Sequence, residues 1–145
     1  MNNPINPAQI DLVRQTWSKV VPIADTAASL FYDRLLTSHP ELAPMFAGVD
    51  MPEQRRKLVK AIGLVVTSLD RIDTLLPVIR DLGQRHAGYG VQDEHYGQVG
   101  AALLWTLQTG LGDDWSEEAA GAWALAYQLL ADTMIDAANS DRNAA

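Results

Sequence analysis

Leu82-Gly83-Gln84-Arg85-His86-Ala87-Gly88-Tyr89-Gly90-Val91 places a histidine at the end of an apolar helical stripe, with glycines behind it. Leu75, Ile79, Leu82 and His86 recur at spacings of four, three and four, which puts their side chains on one face of a helix. Asp73-Thr74 can cap this helix, with Pro77 in its first turn, where a missing N–H costs nothing. Gly88 and Gly90 stop it. A neutral imidazole seated this way is a good metal ligand. Its second ring nitrogen can be fixed by a hydrogen bond to a carbonyl one turn back, near Leu82. Taken alone, such a stretch more often holds a core histidine with a satisfied hydrogen bond, so the rest of the chain has to decide.

Working outward, the chain reads as helices separated by breakers. Asn6-Pro7 starts a helix whose stripe is Ile10, Val13, Trp17 and Val20. Pro22 to Leu36 forms the next. Its apolar residues on two faces imply packing on more than one side, with Tyr32 pointing inward and its hydroxyl in need of a partner. Ser38 to Phe46 is too rich in proline for a long helix and leaves His39 on an exposed corner. Pro52 to Leu69 is helical, with the stripe Gln54, Leu58, Ala61/Ile62, Val65 and Leu69; Arg55, Arg56, Lys57 and Lys60 crowd its other faces. Past the opening stretch, Val91-Gln92-Asp93 begins a helix to about Gly110, with the stripe Tyr96, Val99/Gly100, Leu103 and Leu107. Asp93-Glu94-His95 reads as helix-start capping. Ser116 caps a last helix that buries Ala119, Trp123, Ala126/Tyr127, Leu130 and Met134, and Asn139 to Ala145 reads as a frayed tail. The prediction is an all-α domain over residues 1–145, its core about 7–138, built of six or seven helices.

The 145 residues suffice for one domain with one hydrophobic core. A net charge of −7 argues against a nucleic-acid partner. With no cysteine, disulfides, thiolate metal sites, cysteine nucleophiles and covalent haem attachment are excluded. Met1 to Pro7 lacks the basic and apolar regions of a signal peptide, and no apolar run approaches the roughly 18–20 residues of a membrane span. A cytoplasmic protein is the expectation. There is no phosphate-binding glycine loop, no nucleotide fingerprint and no zinc-type histidine spacing. What remains is one histidine approached by an apolar stripe, with Tyr32 and Gln54 as polar groups across from it. One ligand below and polar donors above describe a haem with an open sixth position.

At Leu30-Phe31-Tyr32, Pro44-Met45-Phe46, Gln54 with Leu58, Leu82 to His86, Tyr96 with Val99-Gly100, Ala122-Trp123 and Tyr127, the chain resembles the globins. It resembles most the single-domain bacterial haemoglobins and the haem domain of flavohaemoglobins, over about Pro7 to Ala138. The resemblance implies a globin fold around non-covalent haem b, with His86 as the proximal iron ligand and Phe46 packed on the haem face. Tyr32 would be the distal donor to dioxygen, Gln54 the second distal polar group, and Leu58 the apolar wall. Ile62, Leu82, Val91, Tyr96 and Val99 would complete the cofactor's surroundings, and Arg85 and Lys57 are candidates for the propionates. In flavohaemoglobins a last-helix glutamate joins a tyrosine beside the proximal histidine. Here Tyr96 matches the tyrosine, but Ala138 stands at the glutamate position, and neither Asp132 nor Asp136 obviously replaces it. The proximal histidine is therefore expected to be more neutral.

The leading function is reversible binding of dioxygen and other diatomic gases. The alternative is nitric oxide dioxygenase activity. No reductase stretch follows, so turnover implies an external reductase. A gas sensor acting through a partner protein and a haem-free helical interaction domain are further alternatives. The resemblance is compatible with a monomer or a homodimer.

Overall fold

The computed structural model describes residues 4–144, with side chains from Pro4 to Asn139. Six α-helices, α1 Pro7–Val20, α2 Ala24–Ser38, α3 Met51–Thr67, α4 Ile72–Gly88, α5 Asp93–Leu111 and α6 Glu117–Ala144, are joined by 3-10 segments except between α4 and α5, where a turn serves, and there is no strand among the described residues. The helix starts follow from side chains that accept orphan N–H groups. Asn6 accepts from the Gln9 N–H at 2.8 Å while the Gln9 side chain accepts from the Asn6 N–H at 2.9 Å, a reciprocal box that fixes α1. Asp50 accepts from the Glu53 N–H at 3.2 Å to start α3, and Ser116 accepts from the Ala119 N–H at 3.0 Å to start α6. His95 is a capping residue too, its Nδ1 accepting from the Gln92 N–H at 3.0 Å.

Several boundaries differ from the sequence reading. Pro22 belongs to the 3-10 turn Val21–Ile23, so α2 starts at Ala24 and runs on to Ser38. His39 is half-buried and not on an exposed corner. A 3-10 turn at Leu69–Arg71 brings the start of α4 forward to Ile72. Asp73 and Thr74 therefore lie inside the first turn instead of capping it, and the Thr74 hydroxyl donates back to the Arg71 carbonyl at 2.7 Å. Pro77 then falls beyond the first turn, where it deprives the Asp73 carbonyl of its intrahelical donor; both residues are exposed, so water can take that place. Gly110 stays within α5, which ends instead at Gly112, whose φ of +53° suits glycine. The stretch from Asn139 continues α6 as helix to Ala144; the side chains from Ser140 onward, and Ala145 altogether, lie outside the described residues.

The helices pack in a fixed scheme. α4 lies along α6, α2 along α5, and α1 along α6, while α3 leans on α2 and α1. α3 and α4 share no substantial packing. Two crossings depend on glycine. A Cβ on Gly83 would lie 2.4 Å from the Met134 carbonyl oxygen, and one on Gly100 would lie 2.6 Å from the Tyr127 ring. Hydrogen at these two positions lets α4 and α5 approach α6 closely, so that Ile72, Leu75 and Ile79 bury against Ala131 and Met134. Complete burial of one such aliphatic side chain contributes about 1.5–3 kcal/mol. In the core of α1 and α6, the Trp123 indole N–H donates to the Thr16 hydroxyl at 2.7 Å, so the buried indole has its partner.

Candidate functional site

α4 carries His86 in its last turn, and the helix closes behind it through a 3.1 Å bond from the Tyr89 N–H to the Arg85 carbonyl. Gly90, at φ +88°, then reverses the chain. The Val91 N–H returns to the His86 carbonyl at 3.0 Å, which ties the loop to the histidine itself. His86 Nδ1 lies 2.7 Å from the Leu82 carbonyl, as its place on the stripe led one to expect. A carbonyl only accepts, so Nδ1 bears the hydrogen and Nε2 presents a lone pair. That is the tautomer a metal ligand needs, held by its second hydrogen bond.

Tyr32 is buried on α2, its ring edge-on to Phe31 at 4.9 Å and to Phe46 at 5.6 Å between centroids. Gln54, half-buried on α3, donates from Nε2 to the Tyr32 oxygen at 3.2 Å. Burial raises the Tyr32 hydroxyl above a tyrosine's usual value, and the Gln54 donor only partly offsets this, so the group stays protonated through neutral pH. Because its oxygen accepts from Gln54, its proton points elsewhere. No protein acceptor takes that proton among the described residues.

The remaining residues singled out from the sequence fall into adjoining groups. Phe46, Leu58 and Val99 pack around Tyr32. Leu82, Val91 and Tyr96 belong with the α4–α6 cluster, and Ile62 with the α1–α3–α6 core. α5 joins these groups, since Tyr96, Val99 and Leu103 follow one another along it. Leu103 and Met51, which also pack at the Tyr32 cluster, were not read as site residues. Leu103 sits one turn beyond Val99 on the same stripe, and that spacing was the available signal.

On the proximal side, Ala138 is buried and the two neighbouring acids are engaged elsewhere. Asp132 accepts from Gln128 at 2.7 Å and Asp136 pairs with Arg80 at 2.8 Å, both at the surface of α6. Arg85 pairs with Asp81 at 2.6 Å, while exposed Lys57 has no ion pair among the described residues. Tyr89 places its ring 6.2 Å from that of His86.

These residues fit haem. Phe46, Leu58, Ile62, Leu82, Val91 and Val99 lie on the inner stripes of their elements yet remain half-buried, between helices that do not pack on one another. An open cleft of about 600 Å³, lined by Ala87 and Gly90 to Glu94, lies at the turn that follows His86. No group of three or more His, Cys, Asp or Glu side chains could hold a bare metal ion among the described residues. A metal at His86 therefore needs a cofactor that brings its own equatorial ligands.

Six helices with this packing, a stripe-end histidine and half-buried apolar side chains on three helices, α3, α4 and α5, that do not pack on one another fit a haem-protein architecture. The globin family model matches residues 29–134, and the chain belongs to that family. It is 30% identical over 128 residues to the flavohemoprotein of Bacillus subtilis (strain 168), covering 87% of this chain and 32% of that protein. To the flavohemoprotein of Rhizobium meliloti (strain 1021) it is 32% identical over 126 residues, covering 86% and 31%. The chain thus spans about a third of the length of these relatives. In fold it is similar to a bacterial globin from Campylobacter jejuni, at a TM-score of 0.82 and 24% identity over 95% of this chain and 99% of that one. It is likewise similar to a hexacoordinated heme protein from an anhydrobiotic tardigrade, at 0.86 and 16% over 94% and 97%. The chain is a haem globin.

Proposed function

We propose that the chain binds dioxygen reversibly, and carbon monoxide and nitric oxide with it, at the ferrous iron of haem b. His86 is the proximal ligand in this reading, and Tyr32 and Gln54 form the distal pair. Haem b supplies an iron with one axial position open to a diatomic gas. The observation that carries the reading is the direction of the Gln54–Tyr32 bond, which leaves a buried, protonated tyrosine with its hydrogen undirected to any protein group. His86 offers Nε2, and Leu82 holds its ring in place. Phe46 stiffens Tyr32 by edge contact, while Leu58 and Val99, packed in the same cluster, limit the access of water. Lys57 is the freer of the two cations proposed for the propionates. Gln54 stands where a second histidine ligand would bind, and an amide ligates iron poorly, so the sixth position is proposed to be open.

The second reading, nitric oxide dioxygenase with a separate reductase, is favoured by the flavohemoprotein relatives. The same two distal groups serve it. Nitrate formed in a single turnover, followed by rapid re-reduction with cell extract, supports the enzyme; slow re-reduction supports binding. The proposed setting is cytoplasmic, as monomer or homodimer.

The test is an ultraviolet–visible spectrum of purified protein as isolated, reduced, and exposed to dioxygen and carbon monoxide. A Soret band that moves with each ligand is the expected result. A colourless protein that haemin cannot reconstitute would overturn the reading.

A further inference from the structure

We propose that the seam between α2 and α3 carries a second site, for a small planar oxyanion, centred on Arg55. A surface pocket of about 300 Å³ lies there, lined by Ala24 and Asp25 of α2 and by Arg55, Arg56, Val59 and Lys60 of α3. Three cations and one acid share this pocket on a chain of net charge −7. Arg56 is already occupied by Glu53 at 2.6 Å. Lys60 has no ion pair among the described residues.

Arg55 is the group that asks for a ligand. Its Nε is buried and has no hydrogen-bond partner. The nearest carboxylate, Asp25, stands 3.7 Å from Nε, too far for a hydrogen bond, and its own side chain is 86% exposed. Nε is closed to solvent, whereas the two Nη groups are not, and together they present two parallel N–H groups, a fork that matches the two oxygens of nitrate, nitrite, bicarbonate or a carboxylate. Lys60 adds a point charge, and the apolar walls of Ala24 and Val59 reduce screening. Arg55 follows Gln54 in the chain and so lies on a neighbouring face of α3. The site is separate from the Tyr32–Gln54 pair and does not rest on the gas-binding proposal.

The experiment is a titration of the isotopically labelled full chain with sodium nitrate at constant ionic strength, sodium chloride making up the balance. It is followed by NMR at the Arg55 Nε–H and the amides of α2 and α3. Saturable shifts confined to residues 24–25 and 55–60 are expected, and these disappear in Arg55→Gln. Asp25→Asn removes the competing carboxylate and is expected to tighten nitrate roughly two- to fivefold, the worth of one partly exposed charge pair. A misfolded variant cannot produce that gain. Linear shifts spread over the whole surface in both wild type and Asp25→Asn, or saturable shifts that survive in Arg55→Gln, would overturn the proposal.

Discussion

With the Gln54 amide donating to the Tyr32 oxygen, the proposed function makes the tyrosine proton the group that meets a bound gas. A hydrogen bond to a partly anionic acceptor contributes about 1.5–3 kcal/mol. Tyr32→Phe is therefore expected to speed dioxygen dissociation about 10- to 100-fold, measured by stopped-flow displacement with carbon monoxide. An unchanged rate would show that Tyr32 only fills space. Burial pushes the Tyr127 hydroxyl far above its usual value, the neighbouring Tyr96 acts in the same direction, and Tyr32 is raised as well. The unfolded chain ionises its tyrosines near pH 10.0, and below that both states hold these protons. Above it only the unfolded state loses them, so stability present below pH 10 falls as pH rises toward the folded-state values. Urea midpoints are expected to drop above pH 10, and less steeply in Tyr127→Phe. At this scale the His86–Leu82 bond was legible, because a separation of four along a helix places side chain and carbonyl together. The Arg85–Asp81 pair obeys the same spacing. The Tyr32–Gln54 contact was not legible as a distance, since the packing of α2 on α3 sets it.

Helix ends followed the local chemistry of their caps where that chemistry was unopposed, as at Asn6 and Ser116. Near Asp73-Thr74 tertiary burial won. Leu69 and Ile72 are both buried, and the 3-10 turn that places them starts α4 early, leaving Pro77 inside the helix. Close helix approach was also illegible, because a glycine that admits a neighbour looks the same in sequence as one that faces solvent. Gly83→Ala forces a methyl group onto the Met134 backbone, which cannot yield as a flexible side chain can. The expected loss is about 1–3 kcal/mol by urea denaturation. Gly97→Ala, with nothing within 4 Å of the added carbon, is expected to gain up to about 1 kcal/mol from helix propensity alone. Equal effects at the two sites would contradict the close α4–α6 crossing.

Over the whole molecule, stripe periodicity and the lack of alternating segments were enough to predict an all-helical chain. They did not predict which helices touch. α4 finds its main support on α6 and on the 3-10 turn before it, and not on α3. Leu75 and Ile79 of α4 are covered by α6, while Leu82 of α4 and Leu58 and Ile62 of α3 stay half-buried. The helix that bears His86 thus takes its packing from one main partner, α6. In the proposed function, haem held by His86 adds a second partner for this helix and stabilises it as any ligand stabilises the state it prefers. Limited proteolysis is then expected to cut near the His86 end of α4 sooner in haem-free than in haem-loaded protein.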